Sequence, residues 1–222
     1  MEGFNRRILM LECSIQHIEE TAENANGKPL SIFAIPELAI HVNSLWLNLC
    51  GALDNLAWGV AYELSVFRGV AEGPGQGREA VGLDRQKFLT QLELSDPAFA
   101  QQIRAYLPWQ NELRCLRDPA AHRIPIYPIP GILDGAEAQE AQELFAQADE
   151  FMRSGRLRDG LGLISKGNAL ARFEPWIILS HDGHLEKRDL HKQLHADVDQ
   201  FVSLSALVLN RLFRDVAGYQ AI

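Results

Sequence analysis

The run Arg117-Asp118-Pro119-Ala120-Ala121-His122 sets a guanidinium that is always charged near an imidazole that titrates close to neutrality. The guanidinium can hold a phosphate through two parallel hydrogen bonds. The imidazole can take up or release a proton. The pair suits phosphodiester chemistry without a metal. RNA cleavage by internal attack needs a base for the 2′-hydroxyl, an acid for the leaving 5′-oxygen and positive charge on the phosphorane. In that scheme Arg117 binds phosphate and His122 is the general acid or base.

Placement decides whether the two can cooperate. On an unbroken helix a five-residue separation turns side chains about 140° apart, at roughly 100° per residue. Pro119 has no N–H and biases Asp118 toward extended backbone. The spacing therefore predicts a helix from Pro108 to Arg117 that ends there, with chain reversal returning His122 to Arg117. Asp118 would then hydrogen-bond an imidazole N–H or cap the next turn. The bland reading of the same residues is an Arg that offsets a helix dipole and a loop His bonded to a backbone carbonyl.

The elements around this run read as helices. Phe4, Ile8, Leu11, Ile15 and Ile18 step by three and four, and the helix they mark stops near Asn24-Ala-Asn-Gly27. The most apolar helix starts at Pro36 and carries Val42, Leu45, Trp46, Leu49, Leu53, Leu56, Val60 and Leu64, which suits the centre of a bundle. Arg68 to Asp84 is a Gly-rich loop. Its Gly73-Pro-Gly-Gln-Gly77 lacks the Gly-Lys-Ser/Thr of a phosphate loop. Short helices follow from Asp84 to Leu94 and from Asp96 to Leu107, and a longer one from Gly135 to Ser154. Residues 171–188 read as a small β-hairpin turning at Asp182-Gly183. A last long helix begins near Asp189, with Leu190, Leu194, Val198, Phe201, Leu204, Val208 and Leu212 on one stripe. Val202, Leu209 and Phe213 make it apolar on other faces too, so it needs a second partner, and a homodimer is expected. The expected fold class is mainly α: one helical domain over residues 1–222, an up-and-down bundle with a small β-hairpin insertion before the last long helix.

Composition narrows the function. Of the 222 residues 47% are hydrophobic and 23% charged, as in ordinary globular chains. No apolar run reaches the roughly 18 residues of a membrane span, and no signal peptide is evident, so no membrane partner and a cytoplasmic place are expected. The net charge of −8 argues against a broad electrostatic grip on nucleic acid. The charge is uneven, though. Between Ala100 and Ile126 stand Arg104, Arg114, Arg117 and Arg123 against Glu112 and Asp118. Cys13, Cys50 and Cys115 are widely spaced in helical patterns and read as buried free thiols. No cofactor is indicated. His191 and His195 are an i, i+4 pair that can bind zinc, but Lys192 follows where a zinc-protease motif has Glu, so no metal is expected.

Asp54 and Asn55 are polar residues inside the most apolar helix. Asp54 shares a face with Leu47, Gly51 and Trp58. A buried carboxylate needs a partner. Arg117 is one candidate, which Asp54 would orient toward phosphate. A place at the bundle edge, or a bond to a backbone donor, is the other reading.

Arg117-Asp118-x-x-x-His122 resembles the Arg-x4-6-His signature of HEPN domains, small helical domains of higher eukaryotes and prokaryotes. Leu53-Asp54-Asn55-Leu56-Ala57-Trp58 is similar to a stretch on the long helix of bacterial HEPN-like proteins. Some of those pair it with a later segment like Leu116 to Pro125. The resemblance covers about Val42 to Leu64 and Pro108 to Pro130. It implies a helical bundle that dimerises so that two Arg/His sets face one cleft. In active members it implies metal-independent endoribonuclease action, often as a toxin or defence effector, for which a cognate antitoxin or other protein is a candidate partner. In others it implies a non-catalytic module that binds nucleotides or proteins. This chain departs from the pattern at Pro119, and at Ile124 where one toxin branch has Tyr; Tyr127 is the nearest.

Overall fold

The computed structural model describes residues 2–31, 33–66, 80–122, 125–181 and 184–218. Gly73 to Gly77, Arg123, Ile124 and the Asp182-Gly183 turn lie outside the described residues, as does the side chain of His122. The described chain is mainly helical, with a three-stranded antiparallel sheet before the last long helix. It gathers into two units. The first comprises Met1–Ser14, Asn43–Pro125 and His191–Ile222, and the second Ile15–Val42 and Ile126–Leu190.

Helix α1 (Glu2–Ala25) and helix α2 (Ala34–Glu63) each contribute to both units. Asn26 (φ 46°) and Gly27 (φ 74°) stop α1, at the Asn-Gly signal the sequence carries. Ser31 starts α2 by accepting the Ala34 N–H at 3.2 Å, and Pro36 falls in the first turn, where its missing N–H has no helical partner anyway.

In the first unit α2 supplies the fully buried Leu45, Trp46, Leu49, Leu56 and Val60. Helices α3 (Gln86–Ser95) and α4 (Pro97–Arg104) follow, and Asp96 caps α4 by accepting from Phe99 N at 3.0 Å. Helix α4 stops three residues short of Leu107. Helix α5 (Leu107–His122) begins there and buries Leu113 and Leu116. Helix α8 (Leu190–Gly218) buries Leu194, Phe201, Leu204 and Val208 on the stripe the spacing predicts.

A carboxylate sits on that same stripe. Asp197 is 1% exposed and accepts three hydrogen bonds, from Trp46 Nε1 at 2.7 Å, Trp109 Nε1 at 2.9 Å and Gln193 Nε2 at 3.1 Å. It ties α2 and α5 to α8. Burial pushes its carboxyl above the usual carboxylate value, against the pull of these three donors.

In the second unit α6 (Gly135–Arg153) runs alongside α7 (Leu157–Ala169). Helix α7 is absent from the sequence reading, because Gly160, Gly162 and Gly167 weaken its helical signal. Two of these glycines serve the packing. A Cβ at Gly160 would fall 2.6 Å from Met152 Cγ, and one at Gly167 would fall 2.5 Å from Phe145 Cε1. The expected hairpin is present as β2 (Trp176–His181) and β3 (His184–Asp189). The proline-broken run adds a strand, β1 (Tyr127–Pro128), at the sheet edge against Ile177 and Ile178.

Two expectations change. Helix α5 does not end at Arg117 but continues through Pro119 to His122. Pro119 removes one i→i−4 bond, while Ala120 and Ala121 are the strongest helix formers and carry the helix past it. The cysteines are not buried thiols throughout: Cys13 and Cys115 are exposed and Cys50 is half-buried. No described helix is long and apolar enough to cross a membrane.

Candidate functional site

A recess of about 80 Å³ opens on the first unit. Helix α2 contributes Cys50, Leu53 and Asp54, helix α5 contributes Gln110, Leu113, Arg114 and Arg117, and the segment before α3 contributes Leu83, Asp84 and Arg85. Each wall follows from local sequence. Gln110, Leu113, Arg114 and Arg117 step by three and four, so they share one face of α5. Val81 and Leu83 are buried and anchor the segment that presents Asp84 and Arg85. Gly82 lets that segment turn tightly: the Arg85 N–H returns to the Gly82 carbonyl at 3.0 Å, and a Cβ on Gly82 would meet Asp84 Oδ1 at 2.9 Å.

Three guanidiniums line the recess. Arg114 pairs with Asp84. Arg85 Nε stands 3.8 Å from the same carboxylate. Arg117 gives Nη1 to Asp118 Oδ1 at 3.0 Å. A fourth, Arg7 of α1, donates to the buried Asn48 Oδ1 at 3.1 Å and lies over Gly51, where a Cβ would collide with it. Asp54 stands among these charges at the open edge of the recess. Loss of water, then the neighbouring Asp84, raise its carboxyl above the ordinary range, while Arg117, Arg7 and Arg114 pull it back.

Cys50 is no nucleophile here. Burial pushes its thiol up to about 12, with Asp54 and Asp84 adding to the rise, so it is neutral at ordinary pH. Gln110 is the unusual wall. It is 4% exposed, and its Nε2 has no hydrogen-bond partner among the described residues. A buried amide donor without an acceptor is costly and rare.

Of the residues singled out in the sequence, Arg117 and Asp54 come together in this recess. They do not form the ion pair that was one reading of Asp54. Asp118 accepts from Arg117; since α5 runs on, it caps no new turn. Asn55 is elsewhere. Its Nδ2 donates to the Gly51 carbonyl at 2.9 Å, and it lines a separate groove with Trp58, Gly59, Tyr62, Glu63, Leu212 and Phe213. His122 is the last residue of α5, about 140° around the helix from Arg117 and about 7.5 Å farther along its axis by ideal helix geometry. It is not brought back to Arg117 by a chain reversal, because the helix is unbroken.

Arg7, Asp84, Arg85, Gln110 and Arg114 were missed in the sequence. Gln110 had a signal: it precedes Leu113 by one turn on the apolar stripe of α5. His191 and His195 stack edge to face at 6.3 Å between ring centroids. No group of three His, Cys, Asp or Glu side chains among the described residues is arranged to hold a metal. Comparison finds no family model, no curated protein and no solved structure that matches this chain.

Proposed function

We propose that the first unit binds the phosphate of an RNA strand in the recess of Arg85, Arg114 and Arg117, as a HEPN-like module. The observation that carries this reading is the convergence of three guanidiniums on one recess that is also lined by Gln110, whose buried amide has no partner among the described residues. Guanidiniums recognise phosphate by charge and by paired donors, and a fixed neutral donor adds orientation. The recess is local enough to work on an acidic chain, since it does not depend on overall charge. A cytoplasmic setting belongs to the same proposal.

The test is binding of a labelled single-stranded RNA. Arg114→Ala and Arg117→Ala each weaken it about tenfold or more if a charge-assisted contact is lost, and salt weakens it further. Affinity unchanged in both variants would remove the proposal.

A catalytic reading is favoured by one observation: Arg117, the phosphate-binding member of the signature, lines an open recess. Metal-independent RNA cleavage then requires His122 of the partner subunit in a homodimer, because α5 runs on to residue 122 without the chain reversal that would return it to Arg117. Cleavage in EDTA that His122→Ala abolishes, and that mixing His122→Ala with Arg117→Ala subunits partly restores, is the result this reading expects. A cognate antitoxin or other protein partner would cover the same surface. Equal cleavage by His122→Ala would end it.

A further inference from the structure

We propose that the recess binds its phosphodiester together with one proton, carried by Asp54, while the buried amide of Gln110 donates a neutral hydrogen bond to the same phosphate. The inference rests on the phosphate-binding reading and extends it to how the ligand is held and how pH regulates it.

Three elements and α1 face Asp54. From α5 come Arg114 and Arg117, from the segment before α3 come Asp84 and Arg85, from α1 comes Arg7, and from its own helix comes the neutral Cys50. The guanidiniums already have partners. Arg114 and Arg85 hold Asp84, Arg117 holds Asp118, and Arg7 holds Asn48. Asp54 is thus the carboxylate in this recess to which no described guanidinium gives a hydrogen bond. A phosphodiester seated against Arg117 and Gln110 meets that carboxylate as a like charge across a small recess, and the two repel. A proton taken from solvent onto Asp54 removes the repulsion. It also converts an acceptor into an O–H donor that can bond a phosphate oxygen. The direction in which burial and Asp84 already move this carboxyl lowers the cost of that proton.

Gln110 supplies the second, independent observation. It is 96% buried, lines the same recess, and its Nε2 finds no acceptor in the described protein. A phosphate oxygen satisfies it.

The test is calorimetry of the full chain with thymidylyl-thymidine, a single diester that does not titrate near neutrality and cannot be cleaved by internal attack. Titrations in buffers of different ionisation enthalpy count the protons. Wild type takes up as much as one proton per diester and binds more tightly as pH falls. Asp54→Asn binds without uptake and with an affinity flat in pH, and Asp54→Glu restores the uptake. Gln110→Leu weakens binding about tenfold, the loss expected of one buried hydrogen bond, and keeps the uptake. Uptake that persists in Asp54→Asn, or binding by wild type without uptake, overturns this inference and leaves the phosphate reading standing. No binding of the diester or of RNA by wild type overturns both.

Discussion

Asp54 and Arg117 line one recess from two different helices, yet the Arg117 guanidinium gives its hydrogen bond to Asp118, at 3.0 Å. The arrangement leaves Asp54 to respond to whatever anion enters. It also leaves Arg117 held by a partner that is half exposed, a bond weak enough to exchange for a phosphate.

The recess depends on α5 keeping its place, and Asp197 holds it there. Asp197→Ala strands the buried indole N–H of Trp46 and takes the acceptor from the half-buried indole N–H of Trp109. We expect a loss of about 2–4 kcal/mol, read by denaturant unfolding, from one buried and one half-buried donor left unsatisfied at roughly 1–3 kcal/mol each with partial relief by water. A loss below about 0.5 kcal/mol would show that the three bonds do not fasten α8.

Asp96 has two roles that one substitution separates. It caps α4, and it accepts from Arg211 Nε at 2.7 Å. The Arg211 hydrogen bond holds its carboxyl below the ordinary value. A depressed folded value means stability that is present above the unfolded carboxylate value and is lost as pH falls through the folded one. Asp96→Asn keeps the cap and removes the ion pair. Wild type should exceed it by about 1 kcal/mol at neutral pH. That margin should close as pH falls below the usual carboxylate range. A margin that stays constant with pH would contradict this.

Pro119 lies inside α5, where proline costs up to about 3 kcal/mol. Pro119→Ala should therefore raise the melting temperature. A fall would mean that the chain needs a break at this position.

Helix α7 offers an internal control on packing. A Cβ at Gly162 meets nothing within 4 Å, so Gly162→Ala should stabilise by about 0.5–1 kcal/mol. At Gly160 the new methyl would stand 3.0 Å from the Ala148 carbonyl oxygen, which is backbone and cannot step aside. Gly160→Ala should destabilise by about 1–3 kcal/mol. Equal effects at the two sites would contradict the close approach of α6 and α7.

Periodicity made most of the helices legible, and the Asp-Gly step placed the hairpin. What stayed hidden follows from competing terms. Three glycines masked α7, although two of them are there to let α6 approach. Strand β1 is two residues long and holds a proline, too little for any alternation to register. At Pro119 a local bias lost to the alanines beyond it. The site was half legible: Arg117 and Asp54 stand out as a charge near a proline and a carboxylate on an apolar stripe. Asp84, Arg85 and Arg114 become a site only through tertiary contact. Gln110 and Asp197 could have been found, because each interrupts a run of leucines at helical spacing.

The most direct measurement is of the Gln110 side-chain amide by nuclear magnetic resonance during titration with single-stranded RNA. Binding in this recess predicts that the Gln110 Nε2 protons shift with saturation, and that Arg117→Ala weakens the titration about tenfold or more. An amide signal that stays fixed while RNA binds, with equal affinity in Arg117→Ala, would contradict the account.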